Sequence, residues 1–80
     1  MSALENTVEN ILTSIFTIPV NSTIADFNNH SSEEWDSMKQ LTLVTAIENE
    51  FDLFIEASDA SKLLSFKAIV EFLQKHPDVV

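Results

Sequence analysis

The sequence of 80 residues predicts an all-α fold, a four-helix bundle with three longer helices, one short third helix and a long loop between helices 1 and 2. Apolar residues recur every three or four positions in three separate segments, which is the period of an amphipathic helix. Residues that cap helices stand at the starts of these segments. Alternation of apolar and polar residues never persists over the length of a strand. We expect a single domain over residues 1–80.

The first predicted helix begins after Ser2. Ser2 and Glu5 have the spacing of a capping box. Proline disfavours the α conformation at the residue before it, so Ile18–Pro19 ends the helix. Its apolar stripe consists of Leu4, Val8, Ile11, Leu12 and Ile15.

Residues 17–35 are mostly polar, lack a sustained period and predict a long loop. Val20, Ile24 and Phe27 interrupt this stretch, and we expect them to hold the loop against the core. A loop of this length in a small domain is usually functional or mobile.

The strongest helical pattern extends from about Ser37 to Phe51. Asp36 or Ser37 can cap its start, and Asp52 suits a left-handed position after its end, because the chain contains no glycine. We interpret Met38, Leu41, Val44, Ile47 and Phe51 as one continuous apolar face that Leu43 widens.

The last third of the chain predicts a short helix and a longer one. The short helix lies within residues 56–64, with Ser58 or Asp59 as its cap and Leu63 and Leu64 as its anchor. Ser65 begins the last helix, which ends at His76–Pro77. Its apolar residues are Phe66, Ile69, Val70, Phe72 and Leu73.

Composition excludes several classes of function. The net charge is −9, with 4 Lys+Arg against 13 Asp+Glu, which argues against nucleic acid and favours basic protein partners. The absence of cysteine excludes a disulfide framework and a thiol nucleophile, and the absence of glycine excludes a P-loop. No apolar stretch approaches the length of a membrane span, and the N-terminus lacks the basic region of a signal peptide. We expect a cytoplasmic, freestanding monomer.

The region from residue 35 to residue 55 resembles the acyl carrier protein family. An Asp36-Ser37-aliphatic motif precedes an apolar and acidic helix, and Ser65-Phe66 opens a fourth helix as in the family. The resemblance covers nearly the whole chain. The residues that carry it are Trp35, Asp36, Ser37, Met38, Leu41, Leu43, Val44, Ala46, Ile47, Glu48, Glu50, Phe51, Asp52 and Ile55.

This resemblance implies that Ser37 receives 4′-phosphopantetheine from coenzyme A through a separate phosphopantetheinyl transferase, and that Asp36 aids its recognition. The arm would then carry acyl or aminoacyl thioesters between partner enzymes, and the protein would not itself be an enzyme. The N-terminus of a helix favours an anion such as the phosphodiester. His30 lies in the polar loop and His76 near the end of the chain, and neither has a spacing from Ser37 that indicates a base, which argues against a hydrolase. We expect both histidines at the surface.

The chain departs from the family pattern around the serine. Trp35 stands where glycine is common, and Met38 replaces leucine. Lys39 stands where an acidic or neutral residue is common and Thr42 where the family often has glutamate, so the acidic face beside the serine is thinned. These departures predict a carrier of a specialised pathway of lipid or secondary metabolite biosynthesis.

Five residues are candidates for contact with partner enzymes: Trp35, Met38, Glu48, Glu50 and Phe54. Trp35 is interpreted chiefly as a packing residue that also shields the arm. Phe54 occupies a position that is usually polar in the family, and we expect it to be exposed; packing against the long loop is the alternative.

A second hypothesis belongs to another class of function. In it the chain is an acidic helical interaction module without a prosthetic group, and Asp36 and Ser37 only cap a helix. This hypothesis predicts that Ser37→Ala leaves function intact, whereas charge reversal at Glu48 and Glu50 abolishes it.

Overall fold

A computed structural model describes residues 2–18 and 23–76, and these residues form four α-helices and no β-strand. The helices are α1 (Ala3–Ile15), α2 (Ser37–Phe51), α3 (Ala57–Ala60) and α4 (Phe66–Gln74). A 3-10 turn, Ile24–Asp26, lies in the connection between α1 and α2. The predicted all-α fold, with a short third helix, is therefore confirmed.

The start of α1 forms the predicted capping box. The Glu5 backbone N–H donates to Ser2 Oγ at 3.1 Å, and the Ser2 backbone N–H donates to the Glu5 carboxylate at 3.0 Å. Hydrogen bonds from the backbone and the side chain of Ser2 lower the pKa of Glu5. The helix ends at Ile15, and Phe16 follows it in an extended conformation. Pro19, in the predicted stop signal, lies outside the described residues.

One apolar cluster holds the elements together, and α1 contacts both α2 and α4. A fully buried Leu or Ile side chain contributes about 1.5–3 kcal/mol to folding, so such a cluster is the main source of stability. No polar or charged side chain is buried in the described part of the chain. The buried residues are Val8, Ile11, Leu12, Phe16, Ile24, Phe27, Leu43, Val44, Ile47, Ile55, Leu63, Phe66, Ile69, Val70 and Leu73.

The loop before α2 is attached to the core as predicted. Ile24 and Phe27 are buried, whereas Val20 lies outside the described residues. The carbonyl of Phe27 accepts a hydrogen bond from the backbone N–H of Phe66 at 3.0 Å. The packing and this bond fix the second half of the loop on the start of α4.

The interpretation of α2 as one continuous apolar face is wrong for its first two members. Met38 and Leu41 are 79% and 69% exposed. Each residue of an α-helix is rotated by about 100° about the helix axis from the one before it, so two residues three positions apart are about 60° short of a full turn. Three such steps separate Met38 from Ile47, which places the two side chains on opposite sides of the helix. The core face instead includes Leu43, Val44 and Ile47.

The two ends of α2 agree with the sequence. The Asp36 carboxylate caps the N-terminus by accepting a bond from the Lys39 backbone N–H at 2.9 Å. At the C-terminus Asp52 adopts the left-handed conformation, with φ of 52°. Aspartate tolerates this region better than most residues other than glycine, which the chain lacks.

The predicted cap of α3 is wrong, because Ser58 and Asp59 lie within that helix. Glu56 occupies the N-cap position in an extended conformation, without a side-chain capping bond. Burial of Ile55 just before it fixes where the chain can turn into the helix. Of the predicted anchor, Leu63 is buried but Leu64 is exposed.

The start of α4 follows the prediction. Ser65 Oγ accepts a bond from the Ala68 backbone N–H at 3.0 Å and caps the helix. None of the helices in residues 2–18 and 23–76 combines the length and hydropathy that crossing a bilayer requires.

Candidate functional site

Ser37 is the first residue of α2 and its side chain is exposed. Asp36, directly before it, supplies the cap of the helix, and its own carbonyl accepts the backbone N–H of Gln40 at 2.9 Å. The alternative that Ser37 caps the helix is therefore excluded, because that role belongs to Asp36. The Ser37 hydroxyl lies at the surface beside the first turn of α2.

Trp35 is part of an aromatic cluster that fixes the chain before this turn. Its ring stacks on Phe16, with centroids 4.5 Å apart and planes at 21°. Phe27 completes the cluster, 5.7 Å from Trp35 and 5.8 Å from Phe16. Trp35 is half-buried, in agreement with the prediction that it is chiefly a packing residue. Its contact with partner enzymes stays a prediction.

Two polar contacts connect the same region to the end of α1. Lys39 Nζ donates to the carbonyl oxygen of Ile15 at 3.2 Å. The Glu34 carboxylate accepts the Thr17 backbone N–H at 2.9 Å and its hydroxyl at 3.2 Å. A cation is favourable at the C-terminus of a helix, where carbonyl oxygens lack partners. Lys39 therefore places its positive charge at the C-terminus of α1, where it stabilises the end of that helix.

Gln40 connects Trp35 to α3, and sequence reasoning did not identify it. Its Oε1 accepts a hydrogen bond from Trp35 Nε1 at 2.6 Å. Its Nε2 donates to the carbonyl oxygens of Ala60 at 2.9 Å and Leu63 at 3.1 Å. A signal was present in the sequence, because Gln40 precedes the core residues by three, four and seven positions. A polar side chain on an inward face needs hydrogen-bond partners. Those core residues are Leu43, Val44 and Ile47.

A shallow groove of about 250 Å³ opens beside Ser37. It has both apolar and polar walls, and neither histidine lines it. Across the described residues no group of three or more His, Asp or Glu side chains is placed to hold a metal ion. The groove offers a surface along which a covalently attached chain can lie, without a base that would activate the hydroxyl. It is lined by Asn29, Trp35, Asp36, Ser37, Gln40 and Leu64.

The remaining candidate contact residues differ in exposure. Met38 and Glu50 are exposed, and Phe54 is 78% exposed, which confirms the expected exposure of Phe54. Glu48 is half-buried, and its carboxylate accepts the backbone N–H of Ile55 at 2.8 Å. Glu48 therefore stabilises the turn after α2, a role that its acidity alone did not indicate. Contact of these residues with partners stays a prediction.

A second cavity, of about 400 Å³, lies between α3 and α4 and contains none of the candidate residues. His76 lines it, and its ring packs on Phe72 with centroids 4.4 Å apart. His76 Nδ1 lies 3.0 Å from the Phe72 carbonyl oxygen, so this histidine is half-buried rather than at the open surface as expected. His30 is exposed as expected.

Comparison with known proteins assigns no family to this chain. No family model matches it, and no curated protein sequence matches it. The functional assignment therefore depends on the geometry around Ser37 and on the resemblance of its sequence to carrier proteins.

Proposed function

We propose that this protein is a carrier protein that bears 4′-phosphopantetheine on Ser37 and presents acyl or aminoacyl thioesters to partner enzymes. The observation that supports the proposal most is the position of Ser37. It is an exposed serine at the first residue of α2, directly after the capping Asp36, in a small helical bundle. Enzymes that act on a protein side chain need such an accessible hydroxyl.

The N-terminus of α2 suits the phosphate that this modification introduces. The Asp36 carboxylate binds the Lys39 N–H, and the earlier backbone N–H groups of the first turn and the positive end of the helix dipole are left to face an anion at this place. Because the chain lacks arginine and glycine, it has no guanidinium clamp or glycine-rich phosphate loop. A phosphodiester on Ser37 would therefore be stabilised by the helix itself.

The chemistry of attachment is assigned to a separate transferase. The Ser37 oxygen attacks the phosphorus atom that bears pantetheine in coenzyme A, and the P–O bond to the adenosine bisphosphate breaks. The serine proton passes to a base of the transferase. A serine nucleophile needs a base oriented by a third group, and no histidine lines the groove beside Ser37. The chain has no cysteine, so the thiol that holds the cargo must come from the arm.

The exposed residues along α2 fit a partner surface that is apolar opposite the first turns of the helix and basic opposite its far end. Met38 and Leu41 are exposed in the first turns of α2, and Glu50 is exposed at its other end. The net charge of −9 steers the protein toward positively charged surfaces and increases the rate of encounter. Exposed Phe54 adds an aromatic contact for the same partners.

Intact-mass spectrometry tests the proposal. The protein is incubated with coenzyme A, magnesium and a promiscuous phosphopantetheinyl transferase, and we expect a covalent gain of about 340 Da. Ser37→Ala should gain nothing. Ser58→Ala, a matched change at another exposed serine, should gain the same mass as the natural sequence.

An unchanged mass, with a transferase that modifies a known carrier in the same tube, would contradict the proposal. It would favour the second hypothesis, an acidic interaction module in which Asp36 and Ser37 only begin α2. Charge reversal at Glu50 would then abolish function while Ser37→Ala would not. Glu48 is less suitable for that test, because its carboxylate also holds the Ile55 N–H.

A further inference from the structure

The side-chain amide of Gln40 uses both ends to connect separate parts of the chain. Its oxygen accepts from Trp35, five residues earlier, and its nitrogen donates to two carbonyls at the end of α3, 20 and 23 residues later. All three bonds are part-buried and lie between 2.6 and 3.1 Å. Hydrogen bonds shielded from water are costly to break, because the Trp35 indole N–H and the Leu63 carbonyl then lose a partner that offsets their desolvation. The Ala60 carbonyl would keep its bond from the Leu63 backbone N–H.

The residues that make these contacts lie on both sides of Ser37 in the sequence and beside it in the groove. Trp35 lies two residues before Ser37, Gln40 lies three residues after it, and all three residues line the same groove. Leu64, which follows the Leu63 carbonyl that Gln40 binds, lines the groove as well. Loss of the Gln40 amide would free the Trp35 indole from one side and the end of α3 from the other.

We propose that Gln40 is a positioning residue for Ser37. It holds Trp35 and the end of α3 against the first turn of α2, and so fixes the groove and the serine in the arrangement that the transferase engages. The part of this inference that concerns the transferase rests on the proposed function. The part that concerns Trp35 and α3 is independent of it and can be measured on the unmodified protein.

Two substitutions separate the two ends of the amide. Gln40→Met keeps nearly the same length and volume but removes all three hydrogen bonds. Gln40→Glu keeps an oxygen that accepts from Trp35 Nε1 but removes the donor and places a negative charge at the Ala60 and Leu63 carbonyls. Gln74→Met is the matched control, because Gln74 is exposed at the end of α4.

Fluorescence of the unmodified protein reports the first contact. The chain contains a single tryptophan and no tyrosine, so the fluorescence signal belongs to Trp35. We expect Gln40→Met to shift the emission to longer wavelength and to increase quenching by acrylamide. Gln40→Glu and Gln74→Met should leave both unchanged.

Hydrogen exchange reports the second contact. The backbone N–H groups of Ser61 and Leu63 are bonded within the turn that ends α3. We expect both Gln40 variants to increase their exchange rates, because both remove the donor to α3. Unchanged emission and unchanged exchange in Gln40→Met would overturn the proposal.

Transferase kinetics below the unfolding transition report the consequence for Ser37. Gln40→Met should lower kcat about tenfold and leave KM within about twofold, since misplacement of a reacting group slows the step while the exposed docking residues are unchanged. Equal kcat in Gln40→Met and the natural sequence would overturn the positioning of Ser37. If the natural sequence itself gains no mass, the proposed function fails, and fluorescence and exchange still decide whether Gln40 positions Trp35 and α3.

Discussion

At the scale of single residues, Asp36 combines a structural contact with a proposed contact in recognition. Its carboxylate caps α2 through the Lys39 N–H, and it lines the groove beside Ser37. Sequence alone left open whether Asp36 and Ser37 are only a helix cap. The structure shows that Asp36 makes the cap while Ser37 is exposed, so the two roles are compatible on adjacent residues.

Substitution of Asp36 separates its two roles. Asp36→Ala should lower the free energy of unfolding by about 0.5–2 kcal/mol, because the Lys39 N–H loses its capping partner. Asp36→Asn should remain close to the natural stability, because its amide oxygen also caps, but it removes the charge. Denaturant unfolding measures stability, and the rate of mass gain at Ser37 measures recognition.

We expect both Asp36 variants to be modified more slowly than the natural sequence. If Asp36→Asn is modified at the natural rate, the charge has no part in recognition and Asp36 is only a cap. Modification of Asp36→Ala at the natural rate would remove even the requirement for an ordered helix start.

At the scale of elements, α2 depends on particular residues at its ends. Asp52 is the only residue other than glycine with a positive φ in the described part of the chain, and it lies where α2 ends. Its own N–H bonds to the carbonyl of Glu48, whose carboxylate in turn accepts the Ile55 N–H. The turn between α2 and α3 therefore depends on a conformation that most side chains resist.

A glycine should suit this turn better than aspartate. We expect Asp52→Gly to raise the free energy of unfolding by about 0.5–1 kcal/mol, because glycine adopts the left-handed region without a steric cost. Asp52→Ala is the matched control, since it also removes the charge but keeps Cβ, and it should be less stable than Asp52→Gly. Thermal unfolding followed by circular dichroism compares them. Equal stability of the two variants would show that the left-handed turn costs nothing here.

At the scale of the whole molecule, a small core opposes a large excess of negative charge. A domain of this size buries only about 60% of the surface of its unfolded chain, so its stability is modest. The net charge of −9 means that acidic side chains repel one another in the compact state, which lowers the stability of the fold. Under the proposed function the same charge would steer the protein to basic partners, so the proposed function and the stability of the fold would place opposite requirements on the net charge.

Salt should therefore stabilise the fold. Raising NaCl from about 0.01 M to about 0.15 M shortens the Debye length from about 30 Å to about 8 Å. If screening contributes about 1 kcal/mol, Tm rises by about 4–8 °C for a domain of this size. Calorimetry at the two concentrations measures the shift.

Two exposed charges provide matched variants for this effect. At low salt Glu33→Gln should raise Tm and Lys62→Gln should lower it, because one reduces and the other increases the net negative charge, and both exposed residues lie outside the helices. Both differences should shrink at high salt. A Tm that does not depend on salt would show that self-repulsion is negligible in this protein.

Local signals predicted much of the fold and part of the site. The capping box of Ser2 and Glu5, the cap of Ser65 on α4 and the left-handed Asp52 all follow from interactions within four residues. Ser37 at the exposed start of α2 follows from the same kind of signal. Local sequence is sufficient to predict such features, because a cap or a turn depends on residues that are close along the chain.

Other features were decided only by tertiary structure. Helix geometry places Met38 opposite Ile47, but it does not say which of the two sides is covered; the packing of α1 against α2 covers the side of Ile47 and leaves Met38 and Leu41 exposed. The stacking of Trp35 on Phe16 and the bonds of Gln40 to α3 join residues about 20 positions apart. The groove beside Ser37 exists because these distant segments pack together there, and the residues adjacent in sequence do not indicate which distant segments will do so.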